Sequence, residues 1–242
     1  MQPTPSASLR IALVPGITPD KWTRIWAERY PRIPLELVPV DEGGQGASLL
    51  GAEAVAGLIS RLPVLGTEEL ELSTIRLYEE APVVVVAKEH VFAVVDEVSI
   101  AELLDEVLLL DPLERPEWQQ ALADRTLIAE QFRPADLDAA LDLVAAGTGV
   151  LVLPQSIARS NRRRDVVHRP LIGVPSTQVA LVWITEDKSD TLEQFIGVVR
   201  GRSAASTRNP GMENTPPKAK PVKTTVRVAK PKRPQRRHRQ GR

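Results

Sequence analysis

Two periods of apolar residues alternate along the chain. Residues 9–14, 35–40, 55–60, 75–78, 82–87, 107–110, 126–129, 150–153, 166–171 and 178–184 are short apolar or β-branched runs, set apart by Gly, Pro and Asp, and predict buried strands. The strongest is 82–87, Pro-Val-Val-Val-Val-Ala, which has no helical period. Between the runs the spacing turns helical. Trp22, Ile25 and Trp26 share a face, and predict a helix with Thr18 as N-cap, Pro19 at the first helical position, and its end at Tyr30 before Pro31. That Trp pair reads first as core packing and second as a binding platform.

Further helices follow from local signals. Residues 47–50 fit a short helix after a glycine-rich turn. Ser99-Ile100-Ala101-Glu102 is a capping box, with Val98 and Leu103 placed as a hydrophobic staple. After a turn over 111–116, residues 116–123 predict a helix packed through Trp118 and Leu122. Pro134 opens a helix bearing Leu141, Val144 and Ala145, and Gly147 ends it in the left-handed conformation. One helical turn over 156–159 and a basic loop over 161–164 come next. Asp190, with Glu193 at N3, caps a last helix whose face is Leu192, Phe195, Ile196 and Val199.

The order β-α-β-α-β, a second similar set, and a final strand and helix predict an α/β fold of two lobes. Ligands of such folds sit in a crevice at the carboxyl ends of strands. Gly16 and Thr18 follow the first strand there, and Thr18 can offer a hydroxyl and free backbone N–H groups to an anion. Arg61 ends another strand; it either holds a carboxylate bidentately or pairs with one of the many surface acids. Thr148 and Gly149, in the glycine turn before residues 150–153, present backbone from the second lobe.

The stretch 143–156 fits the wording L-V-A-A-G-x-G-V-x-x-L-P-x-S and resembles the effector-binding domain of LysR-type transcription regulators. Five more matches follow in the family's order: the opening strand 9–14, Arg29-Tyr30-Pro31, Arg61-Leu62-Pro63-Val64, 82–87 with Lys88-Glu89-His90, and 179–184 with 195–200. The resemblance spans 9–202. It implies a type 2 periplasmic-binding-protein fold, with crossings between lobes near 86–89 and 176–179. Lobe one would be 9–87 and 179–202, and lobe two 88–178. It also implies a non-enzymatic role in transcription regulation, a small-molecule effector such as an organic acid in the cleft, and a side-by-side homodimer. Two departures stand out. Asp20 places negative charge at the first helix end, opposing an anion, and Gly51-Ala52-Glu53-Ala54-Val55 lacks the family's G-x-x-D. Only eight residues precede the first strand, which leaves no room for the winged helix-turn-helix, so a standalone sensing half is expected.

Composition and charge modify this picture. With 242 residues and 43% hydrophobic content, one sizeable core or two small ones can be buried. There is no cysteine, hence no disulfide, thiolate metal site or cysteine nucleophile. No signal-peptide pattern or membrane-length apolar run is present, so a cytoplasmic location away from membranes is expected. The zero net charge hides a division: from Gly201 onward there are 13 Lys and Arg against the single acid Glu213, leaving 18 basic and 30 acidic residues before it. With six prolines and little to bury, residues 203–242 are expected to be disordered, as is the leader 1–8. Lys218, Lys220, Lys223, Arg227, Lys230, Lys232, Arg233, Arg236, Arg237, Arg239 and Arg242 each suit a phosphate. Without an aromatic residue or a recognition helix, the tail fits non-specific DNA or other polyanions; the alternative is a solubilising tail.

Catalytic signals are sparse. His90, His168 and His238 lie far apart in sequence, so no metal site is indicated, and neither a nucleophile elbow nor a phosphate-gripping loop occurs. Gly43-Gly44-Gln45-Gly46 lacks the context of a dinucleotide fingerprint, and Glu79-Glu80 reads as solvated. No catalytic residue and no cofactor is nominated. Two further readings stay open: an enzyme on the same two-lobed fold, such as a transferase or dehydratase, and an interaction scaffold with a closed cleft. Whether Thr18, Arg61 and Thr148 converge on an open cavity separates the last from a sensor.

Overall fold

Every apolar run becomes a strand, but the strands divide between two large sheets differently from expectation, and 107–108 and 126–127 pair apart as a small parallel ribbon. The computed structural model describes residues 8–42, 44–110, 116–186 and 189–202. Its strands are β1 (Leu9–Leu13), β2 (Leu35–Pro39), β3 (Gly57–Arg61), β4 (Leu72–Glu80), β5 (Pro82–Ala87), β6 (Val98–Ser99), β7 (Val107–Leu108), β8 (Thr126–Leu127), β9 (Leu151–Pro154), β10 (Val166–Ile172) and β11 (Thr177–Ile184). The helices are α1 (Asp20–Arg29), α2 (Gln45–Gly51), α3 (Pro116–Leu122), α4 (Leu137–Ala145), α5 (Gln155–Ser160) and α6 (Asp190–Val199).

The first sheet has the order β2-β1-β3-β11-β4. Helices α1 and α2 return the chain to the same sheet edge each time, which makes β1 parallel to β2 and β3. β11 then enters antiparallel between β3 and β4. On this sheet α1 meets α6: Trp26, 1% exposed, lies edge-on to Phe195 at 5.8 Å, and its indole N–H donates to the Ile33 carbonyl at 2.8 Å. Trp26 is therefore core, whereas Trp22 is only half-buried.

The second sheet has the order β6-β10-β5-β9. Its central strand is β5, antiparallel to both β10 and β9 and buried along its whole length. The valine run explains this position, because alternate side chains feed two cores. Val83 and Val85 pack with Leu141, Val144 and Ile157 under α4 and α5, while Val84 and Val86 pack with Phe92, Leu103 and Trp118. Residues 82–87, expected in lobe one, thus belong to the second sheet. The first crossing falls at Ala81, not in 86–89, and the return crossing runs between Ile172 and Thr177.

Several caps shift by a residue or more. Pro19, with its carbonyl accepting from the Thr23 N–H at 3.0 Å, is the N-cap of α1, so Thr18 stays outside the helix. Ser189, not Asp190, caps α6, accepting from the Leu192 N–H at 3.2 Å. Helix α4 starts at Leu137, with the Asp136 carboxylate accepting from the Ala139 N–H at 2.8 Å, three residues beyond Pro134. The capping box at Ser99 and Glu102 forms as read, but it opens a 3-10 helix, Ile100–Asp105, squeezed between β6 and β7. The expectations for the leader, for the turn before Pro116 and for the basic tail fall outside the described residues.

Candidate functional site between the two sheets

Arg61 is the last residue of β3, a strand buried at every position between β1 and β11. Its side chain is 2% exposed. The guanidinium is almost filled from within the protein. Nε donates to Glu80 Oε2 at 2.9 Å, Nη1 to the Pro15 carbonyl at 3.1 Å and to the Glu42 carboxylate, and Nη2 to Ser156 Oγ at 2.6 Å. Arg61 thus pairs with acids, one of the two expectations, but in the interior rather than at the surface. It is a buried ion pair with two acids, and it reaches from the first sheet to the start of α5 beyond the second. Glu80, read as solvated, is 7% exposed because it faces that guanidinium from the end of β4. With two carboxylates on one cation, the Arg61 fork is already occupied and cannot grip an incoming carboxylate bidentately.

Gly16 holds the other contact across the cleft. Its φ of +82° suits glycine, and a Cβ there would lie 2.7 Å from Ser156 Oγ and 3.1 Å from the Ile157 nitrogen. Loop and helix start meet at a point where no side chain fits. Thr18, exposed just beyond, lines a cavity of about 930 Å³ together with Gly16, Lys21 and Trp22. The opposite walls come from Arg76, Tyr78, Glu79 and Glu80 on β4, from Gln155, Ser156 and Arg159 on α5, and from Arg200 after α6. Partial burial and then the Glu80 carboxylate push the Tyr78 phenol up to about 12, so it remains a hydrogen-bond donor at neutral pH.

Thr148 and Gly149 do not line this cavity. They precede β9, whereas the cavity lies beyond its other end, at Gln155 and Ser156. A Cβ at Gly149 would sit 2.4 Å from the Val107 carbonyl, so the glycine permits close packing of this turn on β7. Gly147, at φ +73°, terminates α4 as read. Gly16 and Thr18 thus line the cavity, Arg61 lies behind it through its partners Glu80 and Ser156, Thr148 is not part of it, and the sequence gives no sign of Ser156, Lys21, Arg76, Arg159 and Arg200.

Two histidines, His90 and His168, lie among the described residues. His90 Nδ1 accepts from the Phe92 N–H at 3.1 Å, and its Nε2 lies 3.2 Å from Glu106. Burial, then Arg159, Arg162 and Arg169, hold the His168 imidazole below its ordinary value, favouring its neutral form. Among the described residues no group of three or more His, Cys, Asp or Glu could hold a metal ion, and no helix is long and apolar enough to cross a membrane.

Comparison with known families finds a match to the LysR substrate binding domain over residues 2–204. The chain belongs to the LysR substrate-binding domain family. Its fold recurs in solved structures. The oxidized form of OxyR matches with a TM-score of 0.62 and 22% identity over 81% of this chain and 93% of that one. The reduced form matches at 0.63 and 22%, over 83% and 97%. The Corynebacterium glutamicum OxyR C206 mutant matches at 0.64 and 21%, over 82% of this chain and 65% of that one. At these identities the likeness concerns the fold: two α/β lobes of the type 2 periplasmic-binding-protein kind, as the LysR family has. A comparison with curated proteins gives no match.

Proposed function

We propose that the chain is a non-enzymatic sensing domain in transcription regulation that binds a small-molecule effector between its two sheets. The observation that supports this reading most is the cavity of about 930 Å³ walled by residues of both lobes, among them Glu80 and Ser156, the two partners through which Arg61 ties the lobes behind it. A ligand in that place touches both lobes at once. It favours whichever arrangement of the lobes gives it more contacts, and shifts the population accordingly. Gly16, Thr18 and Arg61 belong to this machinery, Arg61 as the group that ties the lobes. Thr148 and Gly149 support the packing behind it.

A side-by-side homodimer in the cytoplasm, as in the family, would carry the signal onward. A thermal-shift screen of the full chain against a metabolite library tests the reading. At a hundred times its Kd a ligand adds about 2.7 kcal/mol of stability, raising the melting temperature by several degrees without being consumed. If no small molecule does so, the reading fails in favour of an interaction scaffold, for which the close contact of Gly16 with Ser156 and Ile157 speaks.

The basic tail supplies a second contact. Its Lys and Arg residues, Lys218 to Arg239 among them, are proposed to meet the phosphates of duplex DNA without sequence preference. Duplex DNA should then bind the full chain, but not a chain ending at Arg202, and affinity should fall steeply between 50 and 200 mM salt, by about a thousandfold where six or more phosphates are met. Equal binding by both forms would place the contact elsewhere.

A further inference from the structure

The cleft contains more positive charge than its buried network needs. Lys21 at the start of α1, Arg76 on β4, Arg159 on α5 and Arg200 after α6 all line it, all are exposed, and none forms a salt bridge among the described residues. Only two acids share the lining. Glu80 is already held by Arg61, which leaves Glu79. Arg61, behind the lining, has its own carboxylates, whereas the four cations of the lining have none among the described residues.

Resting on the sensing role proposed above, we infer that the ligand of this cleft is a small multiply charged anion. It is held jointly by Arg159 on one side and Lys21, Arg76 and Arg200 on the other, with Arg61 taking no direct part. An exposed cation paired with a single carboxylate gains little, because water screens the pair and the long side chain loses freedom. A monocarboxylate meeting one or two such groups is therefore held weakly. A ligand with three or four negative charges engages several at once, inside a concavity that concentrates their field. Neutral hydrogen-bonding groups complete the cradle: the Thr18 hydroxyl, and the Tyr78 phenol, which stays protonated. Such a ligand would also bridge α5 to α1 and β4, which a small monoanion on Arg61 would not.

The test uses the full chain with inorganic pyrophosphate, citrate, acetate and glucose as probes, read by thermal melting and calorimetric titration at low salt. Pyrophosphate or citrate should raise the melting temperature, acetate and glucose should not, and added salt should weaken the effect. Arg159→Gln and Lys21→Gln, both at exposed positions, should melt like the parent when unliganded and lose about fivefold in affinity each, the size expected of one exposed charge pair. The basic tail is identical in all these proteins, so its own affinity for polyanions cancels. If pyrophosphate and citrate act equally on parent and variants, the anion is bound outside the cleft and the inference fails. If the metabolite screen yields a neutral or cationic ligand indifferent to both substitutions, the inference fails while the sensing role stands. If no small molecule of any charge stabilises the protein, both fail together.

Discussion

Replacing Arg61 by Met is expected to destabilise the folded body by about 3–5 kcal/mol, the usual cost of removing one partner from a buried ion pair. The guanidinium is the cation facing Glu80, whose side chain is 6% exposed, and it also holds Glu42, which is 31% exposed. Glu42 can turn to water when its partner goes. Glu80, far more buried, has less room to turn towards the cavity, so its carboxylate is left poorly solvated and unpaired. The prediction therefore has a second half: Arg61→Met combined with Glu80→Gln should recover about half of the loss, because an amide is cheaper to bury than an unpaired charge. Urea unfolding of the three proteins measures this. A loss below about 1 kcal/mol for the single variant would mean that the network is an exposed one, of surface-pair strength. The same experiment shows why Arg61 is a poor probe of ligand binding: its loss alters the fold before it alters the ligand.

The strands and the residue that ends β3 were legible because burial leaves a local trace. An apolar run such as 82–87 declares itself, and an Arg at the close of another run stands out. What could not be read was pairing. Glu42 and Glu80 lie nineteen residues to either side of Arg61, and nothing in either sequence neighbourhood marks them as its partners. The same limit explains why the sequence places 82–87 with lobe one, whereas β5 lies in the second sheet. A strand buried on both faces looks alike wherever it sits, and only the register with β9 and β10 places it. Thr148 and Gly149, expected at the second-lobe side of the cleft, do not line the cavity, and strand direction accounts for this. Ligands gather at the carboxyl ends of strands, and Gly16 after β1, Arg61 at the end of β3 and Ser156 after β9 all obey that rule. The glycine turn lies at the opposite end of β9, and its glycine serves the close approach to β7. The wall cations carried no signal at all, since isolated exposed Lys and Arg residues read as ordinary surface until the fold gathers them around one cavity.

The other large effect is expected at Trp118. It sits on a helix of only seven residues, α3, yet it is fully buried among Val84, Val86, Leu103 and Leu122, and its indole N–H donates to the Pro175 carbonyl at 3.0 Å. Truncation to Ala should cost about 3–5 kcal/mol, as for large aromatic residues in cores. Trp118→Phe separates the two contributions. It keeps most of the packing and removes the hydrogen bond, so about 1–2 kcal/mol should be lost, with the Pro175 carbonyl left without this donor. That carbonyl lies in the return crossing between β10 and β11, next to Val174, which packs in the same core. The Phe variant should therefore exchange its amide hydrogens faster at Gly173, Val174 and Ser176 while β5, in the centre of the sheet, stays protected. Uniform loss of protection along the whole second sheet would instead show that Trp118 acts only through volume. Local loss at the crossing would make the Trp118 indole part of what holds one lobe against the other, and a ligand that shifts the lobes would then have to work against that hydrogen bond as well as the one from Arg61 to Ser156.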